Sequence, residues 1–298
     1  MSAPVPGGAA VLSFDAVSPP PLPPSSLAFL LRWRGLPAAP DEAALDALRQ
    51  EVLAAWRAVK AEAHVYRCVQ QLSFLTPRAR THPRYAALLA RLAAAGDRAG
   101  CSADVADVGA AFGQEARALV MDGVSPSRLL VADVSDAYWR AGVRIFDGGD
   151  AARMRQAATR WGDWAASADG GASDIAAGLS LRGILCYYVL HVLSREQSAG
   201  LLRRLRRAAA PGCMLLGACV GSATAGEWAL TPDGTAPRWL HSAESLTQLL
   251  RDAGWCDVAV EVNTPSDGLM QPAAAGDTHA AMLAKALHLQ FSARTAEA

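Results

Sequence analysis

The rhythm of apolar positions changes near residue 100. From Asp41 to Lys60 the row DEAALDALRQEVLAAWRAVK spaces Leu45, Leu48, Val52, Leu53, Trp56 and Val59 three to four residues apart. That is one stripe of a helix, and the acids in its first turn suit the helix dipole. AHVYRCVQQLSFL repeats the stripe with Val65, Cys68, Val69, Leu72 and Leu75, and HPRYAALLARLAAA follows with Pro83 near its first turn, where a missing N–H costs no helical bond. Residues 27–100 thus read as a helical cap without a strand.

Beyond Gly100, short apolar runs alternate with amphipathic stretches: ADVADVG, GQEARALVMDGV, RLLVADV, DAYWRAGVRIF, then LRGILCYYVL, SREQSAGLLRRLRRAAA, CMLLGACVG, SAESLTQLLRDAG and WCDVAVEV. Runs apolar at consecutive positions are strands buried on both faces, so the fold class is α/β, a doubly wound, mainly parallel sheet. Ser194 and Gln197 have the spacing of a capping box, and Gly254 stops the helix before WCDVAVEV. RQAATRWGDW makes a poor third strand. AAMLAKAL reads as helix and HLQFSAR alternates, which predicts a final antiparallel edge strand near Leu287–Arg294.

Composition narrows the class. Apolar residues are 52% and charged residues 19% of the 298, too hydrophobic for a disordered chain. Lys plus Arg equals Asp plus Glu at 28 each, so no net field attracts nucleic acid or anionic lipid. The six cysteines form no C-x-x-C pair, which predicts neither a metal cluster nor a disulfide framework and suits a cytoplasmic compartment. Ile184–Leu190, the longest apolar run, is far short of the roughly 20 residues a membrane helix needs. The proline-rich opening, residues 1–26, lacks a basic n-region and reads as a disordered tail.

The chemistry centres on VADVGAAFGQEARALV. A strand ends at Asp107 and a turn with Gly109 and Gly113 opens a helix, where backbone amides can approach a negatively charged ligand. D-x-G-x-x-x-G is not the dinucleotide fingerprint, whose second glycine position here is Ala111. Asp133 ends the next strand 20 residues past Gly113, where a carboxylate accepts both ribose hydroxyls of an adenosine-type ligand. Singly, the glycines read as an ordinary turn and Asp133 as a capping carboxylate. Their combination inside a βαβ unit favours the nucleoside.

These residues resemble the class I S-adenosylmethionine-dependent methyltransferases, in particular the small fungal-type branch of secondary-metabolite and meroterpenoid pathways. The resemblance runs over roughly residues 60–262, through VYRCVQQLSFLTPRARTHPRY, DVGAAFGQEARALVMDGV, LLVADVSDAYWRAGVRIF, VLHVLSREQ, GSATAGEW and WLHSAESLTQLLRDAGW. It implies a seven-stranded Rossmann-like sheet over residues 101–298 that binds S-adenosyl-L-methionine at the C-terminal ends of its first strands. Asp107, Gly109 and Gly113 would cradle the methionine part, Asp133 the ribose, and Asp163, in Gly162-Asp163-Trp164, would lie near the adenine. Trp164 equally reads as core. Ala110 and Ala111 stand where the family usually has cysteines or glycine.

His191 follows the fourth strand directly, where it can serve as general base or orient a substrate oxygen; packed against backbone, it would be structural. His241 is a substrate-binding candidate that reads equally as a residue ordering the start of the helix after it. Tyr66 and Arg67 lie in the cap, which resembles the family's lid, and would line the pocket; an Arg there suits a carboxylate, or is a solvated face residue. Arg203, Arg204, Arg206 and Arg207 suit a helix C-terminus and read as surface. Tyr187-Tyr188 lacks the Lys three to four residues on that a short-chain dehydrogenase carries, so the pair reads as strand core or pocket wall. The resemblance predicts a methyltransferase for a small molecule, with O-methylation of a carboxylate or hydroxyl, and no metal. An NAD(P)-dependent oxidoreductase and a non-catalytic methyltransferase-like partner protein are the alternatives.

Overall fold

The computed structural model describes residues 22–62, 73–94, 103–165, 176–228, 238–263 and 286–297. Among the described residues three helices lead: α1 (Pro24–Arg34), α2 (Glu42–Glu62) and α3 (Tyr85–Ala94). The alternating half runs β1 (Val105–Val108), α4 (Gln114–Met121), β2 (Leu129–Asp133), α5 (Ala137–Asp147), β3 (Ala158–Trp161), β4 (Leu181–Tyr187), α6 (Arg195–Ala208) and β5 (Ala209–Ser222). After it come β6 (Gly226–Trp228), β7 (Arg238–Leu240), α7 (Ala243–Asp252), β8 (Cys256–Asn263) and β9 (Ala286–Arg294). No helix among the described residues is long and apolar enough to cross a membrane.

Seven strands form one sheet in the order β3-β2-β1-β4-β5-β9-β8, and β6 and β7 pair separately. β1 to β5 are parallel and β9 is antiparallel to both its neighbours. The expected last strand therefore exists, but it is not at the edge. It lies between β5 and β8, and β8 is the edge strand, because the bonding partners of a strand are fixed by distant segments and not by its own alternation.

Side chains alternate across the sheet. Val105, Leu129, Val131, Leu185 and Leu216 join one core with α1 to α5, and Ala106, Leu130, Ala132, Ile184 and Leu215 join the other with α6 and α7. The leading helices thus share a core with the sheet. Trp33 of α1 donates its indole N–H to Asp147 at 2.8 Å, and Arg34 donates to the Ile145 carbonyl at 2.5 and 3.0 Å, satisfying carbonyls that the end of α5 leaves without helical partners. α1 begins inside the segment expected to be disordered: the tail boundary at residue 26 fails because Ser26 is buried and hydrogen-bonded to Thr76 at 2.6 Å. The preceding residues 1–21 lie outside the described residues, as do Tyr66 and Arg67.

Candidate functional site

Strand order reverses between β1 and β4, the switch point at which open α/β sheets bind ligands beyond their strand ends. Asp107, one residue before the end of β1, is 2% exposed, and its carboxylate accepts the Ala116 N–H at 3.1 Å. Burial first, and the Glu115 charge second, raise its pKa well above the usual carboxylate range. In the turn, Gly109 has φ +71°, and a Cβ there would lie 2.1 Å from Val189 Cγ2 in the segment after β4. Glycine is required twice over at this position, for its backbone and for its missing side chain.

The amides expected to meet a ligand are mostly spent within the turn. Gly109 and Ala110 donate to the Ala132 carbonyl at 2.8 and 3.1 Å, Ala111 to Asp133 at 2.8 Å, and Gly113 to the Ala110 carbonyl at 2.7 Å. Asp133 also accepts the Val134 N–H at 2.6 Å, and burial raises its pKa. The ribose candidate is therefore also a staple that closes the glycine turn. The Ser135 N–H bonds to the same carboxylate, and because a carboxylate offers about four acceptor sites, capacity for one further donor remains.

β3 brings the third acid alongside: Trp161 pairs with Asp133, Gly162 donates to the Asp133 carbonyl at 2.9 Å, and Asp163 accepts the Ala165 N–H at 2.8 Å. Trp164, open to two readings in the sequence, is core. On the other side His191 occupies the single turn Leu190–Val192 after β4. Its Nδ1 is buried without a hydrogen bond among the described residues, and burial, then Arg238, lowers its pKa to about 4. The structure thus gathers Asp107, Gly109, Gly113, Asp133, Asp163 and His191 at one end of the parallel strands. His241 is 2% exposed with Nδ1 3.3 Å from Ser245 Oγ, at the start of α7, and burial lowers its pKa to about 4.

Glu115 is a residue that sequence reasoning missed. It is 1% exposed and accepts the N–H groups of Arg78 at 2.6 Å and Ala79 at 3.0 Å, while burial raises its pKa to about 7. Phe74 stacks on Phe112 of the turn, with ring centroids 3.7 Å apart. The segment before α3 is thereby fastened to the glycine turn. The signal in the sequence was an acid directly after that turn, which reads equally as an ordinary dipole partner. Arg117, fully buried, pairs with Asp147 at 2.5 Å and donates to the Phe112 and Gly113 carbonyls at 2.8 and 3.1 Å. Among the described residues no group of acids, histidines and cysteines could hold a metal ion.

This sheet order, with an antiparallel strand inserted next to the edge and a glycine turn after β1, is the seven-stranded Rossmann-like arrangement that the resemblance to class I S-adenosylmethionine-dependent methyltransferases implies. In sequence the chain is similar to "Methyltransferase trt5" of Aspergillus terreus, 33% identical over 81 residues, or 27% of this chain and 26% of the relative. The chain thus matches about a quarter of that relative's length. Among solved structures it is similar to the [4+2]-cyclase SpnF, with 16% identity, a TM-score of 0.51, and coverage of 88% of this chain and 98% of that one. It also aligns with the 1,6-didemethyltoxoflavin-N1-methyltransferase of Burkholderia thailandensis, with 16% identity, a TM-score of 0.47, and coverage of 88% and 92%. No protein-family model matches the sequence.

Proposed function

We propose that the chain is an S-adenosylmethionine-dependent methyltransferase for a small-molecule acceptor of secondary metabolism, working in the cytoplasm. One observation carries this reading: Asp133, at the end of β2, is joined through the Ala111 N–H to the glycine turn after β1, so an acid for ribose hydroxyls and a turn whose Gly109 has no room for a side chain form one unit. The donor set suits the group. Asp133 keeps acceptor capacity, and the Gly109 and Ala111 carbonyls accept no hydrogen bond among the described residues, which leaves them for the ammonium of the methionine part. Asp163 would flank the adenine, Tyr66 and Arg67 would come from the cap, residues 27–100, and His241 would stand on the acceptor side.

When bound, the donor supplies an electrophilic methyl group whose transfer requires in-line approach of an acceptor atom. His191 holds a neutral imidazole, and its low pKa makes it a weak base. An acceptor already ionised, such as a carboxylate, therefore suits this site better than an unactivated hydroxyl. Because the similar structure SpnF is a [4+2]-cyclase, the fold alone does not decide the reaction.

Calorimetry with S-adenosylmethionine and NADH in parallel tests the reading. Saturable heat from the first alone supports it. Heat from NADH alone replaces it with an oxidoreductase, and heat from neither leaves a methyltransferase-like partner protein.

A further inference from the structure

We propose that Tyr188, His191 and His288 form the wall that holds the acceptor's oxygen, with Tyr188 as its positioning residue; this rests on the methyltransferase reading above. Tyr188 follows β4 with φ +60°, a conformation that a bulky side chain adopts only when its surroundings enforce it. Two contacts enforce it here. Its N–H donates to the Ala218 carbonyl at 2.7 Å, and its hydroxyl lies 2.8 Å from His288 Nε2, on β9 and 100 residues away. The two rings stack with centroids 5.8 Å apart, and the His191 ring stands edge-on to Tyr188 at 6.0 Å. One tyrosine in a left-handed conformation thus lies between two histidines from different elements.

Unmet bonding capacity surrounds this wall. His191 Nδ1, His288 Nδ1 and the Tyr187 hydroxyl are all buried without a hydrogen bond among the described residues. Buried polar atoms are rarely left so, and the two imidazole nitrogens beside Tyr188 mark a place for a polar group from outside the chain, while the Tyr187 hydroxyl faces Glu115 and Asp107. The surroundings also select its charge. Burial and then Arg238 lower the pKa of His191, and burial and then Arg78 lower that of His288, with no carboxylate among the described residues contributing to either. Two neutral rings in a positive field favour an oxygen carrying negative charge. Val189, between Tyr188 and His191, packs on Gly109, so the wall adjoins the turn assigned to the donor.

The test titrates the full chain with benzoate, an ionised oxygen probe, and with phenol, a neutral one, with and without S-adenosylhomocysteine. The imidazole Cε1–H resonances of His191 and His288 report contact, assigned through H191Q and H288Q. Benzoate is expected to shift both saturably and more tightly than phenol. Y188F, which keeps the ring and removes the hydroxyl, should weaken benzoate about tenfold, the scale of one hydrogen bond, with S-adenosylhomocysteine affinity and melting temperature unchanged. Should Y188F not fold, H288L, which has no hydrogen-bonding atom in its side chain, removes the same bond from the other side and should show the same loss. If neither probe moves either resonance, or if the folded variant binds benzoate as tightly as the parent, the proposal is overturned. Benzoate binding without S-adenosylhomocysteine binding would instead remove the methyltransferase reading and leave the wall standing.

Discussion

At the scale of single residues, Asp133 has two tasks that substitution can separate. Its carboxylate accepts the N–H groups of Ala111 and Val134, so Asp133→Ala should lower both donor affinity and stability, each by about 1–3 kcal/mol. Asp133→Asn keeps an oxygen for Ala111, and should recover most of the stability but little of the affinity. Melting curves of the free protein beside calorimetry of the donor check this; equal recovery of both would leave Asp133 a purely structural residue. Ala111 holds φ +46°, so Ala111→Gly should stabilise the protein by about 0.5–1 kcal/mol, read by urea unfolding. Asp107 and Asp133 stand out in the sequence because each ends an apolar run, Asp107 directly before a glycine turn and Asp133 20 residues past Gly113. The Tyr188–His288 bond was not, since nothing local announces a partner 100 residues away.

Whole elements were legible in proportion to their burial. β1, β2, β4 and β5 are buried on both faces and show it as unbroken apolar runs. β3, a half-exposed edge strand, leaves a faint pattern. Within the helical cap α1 gave no stripe of its own, because five of its residues, Ser26, Phe29, Leu30, Leu31 and Trp33, are buried and so short a helix has little polar face to set a period. α5 carries a glycine, Gly142, at which a Cβ would lie 2.1 Å from the Phe112 carbonyl oxygen. Helix propensity alone predicts that Gly142→Ala stabilises by about 1 kcal/mol. Packing predicts the reverse, because the helix must withdraw from the glycine turn. We expect a loss of about 2 kcal/mol or more together with weaker donor binding, measured by chemical unfolding; a gain in stability would show that the contact yields without cost.

Over the whole molecule, buried ionisable groups set opposite trends with pH. His82, His191 and His241 titrate at about 4, well below 6.5, so the unfolded chain binds more protons across that window and stability rises with pH through it. His288 is lowered also and acts in the same sense. Glu115 titrates at about 7, above its ordinary 4.5, so the folded chain holds the extra proton and stability falls as pH rises through that window. Asp107 and Asp133, both raised, add to the fall. Between about pH 4.5 and 6.5 the two trends oppose each other and above 6.5 only the fall due to the acids remains, so the melting temperature should climb only modestly from pH 4 and decline past 6.5. His82, 6% exposed and bonded through Nε2 to the Phe291 carbonyl at 3.1 Å, should account for on the order of 3 kcal/mol of the climb. His82→Gln should flatten the climb, and Glu115→Gln, which removes the opposing fall between about 4.5 and 7, should steepen it; an unchanged profile in both variants would contradict the assignment.

The placement of β9 between β5 and β8 governs how the chain is completed during synthesis. β8 leaves the ribosome before the strand that will connect it to the sheet, and β5 emerges with one flank unfilled. Until β9 arrives, the nascent protein displays an open sheet edge, the kind of surface that recruits chaperones or pairs with a neighbouring chain. Substitutions that slow the docking of β9 should therefore lower the yield of soluble protein in the cell before they change the melting temperature of the molecules that reach the native state.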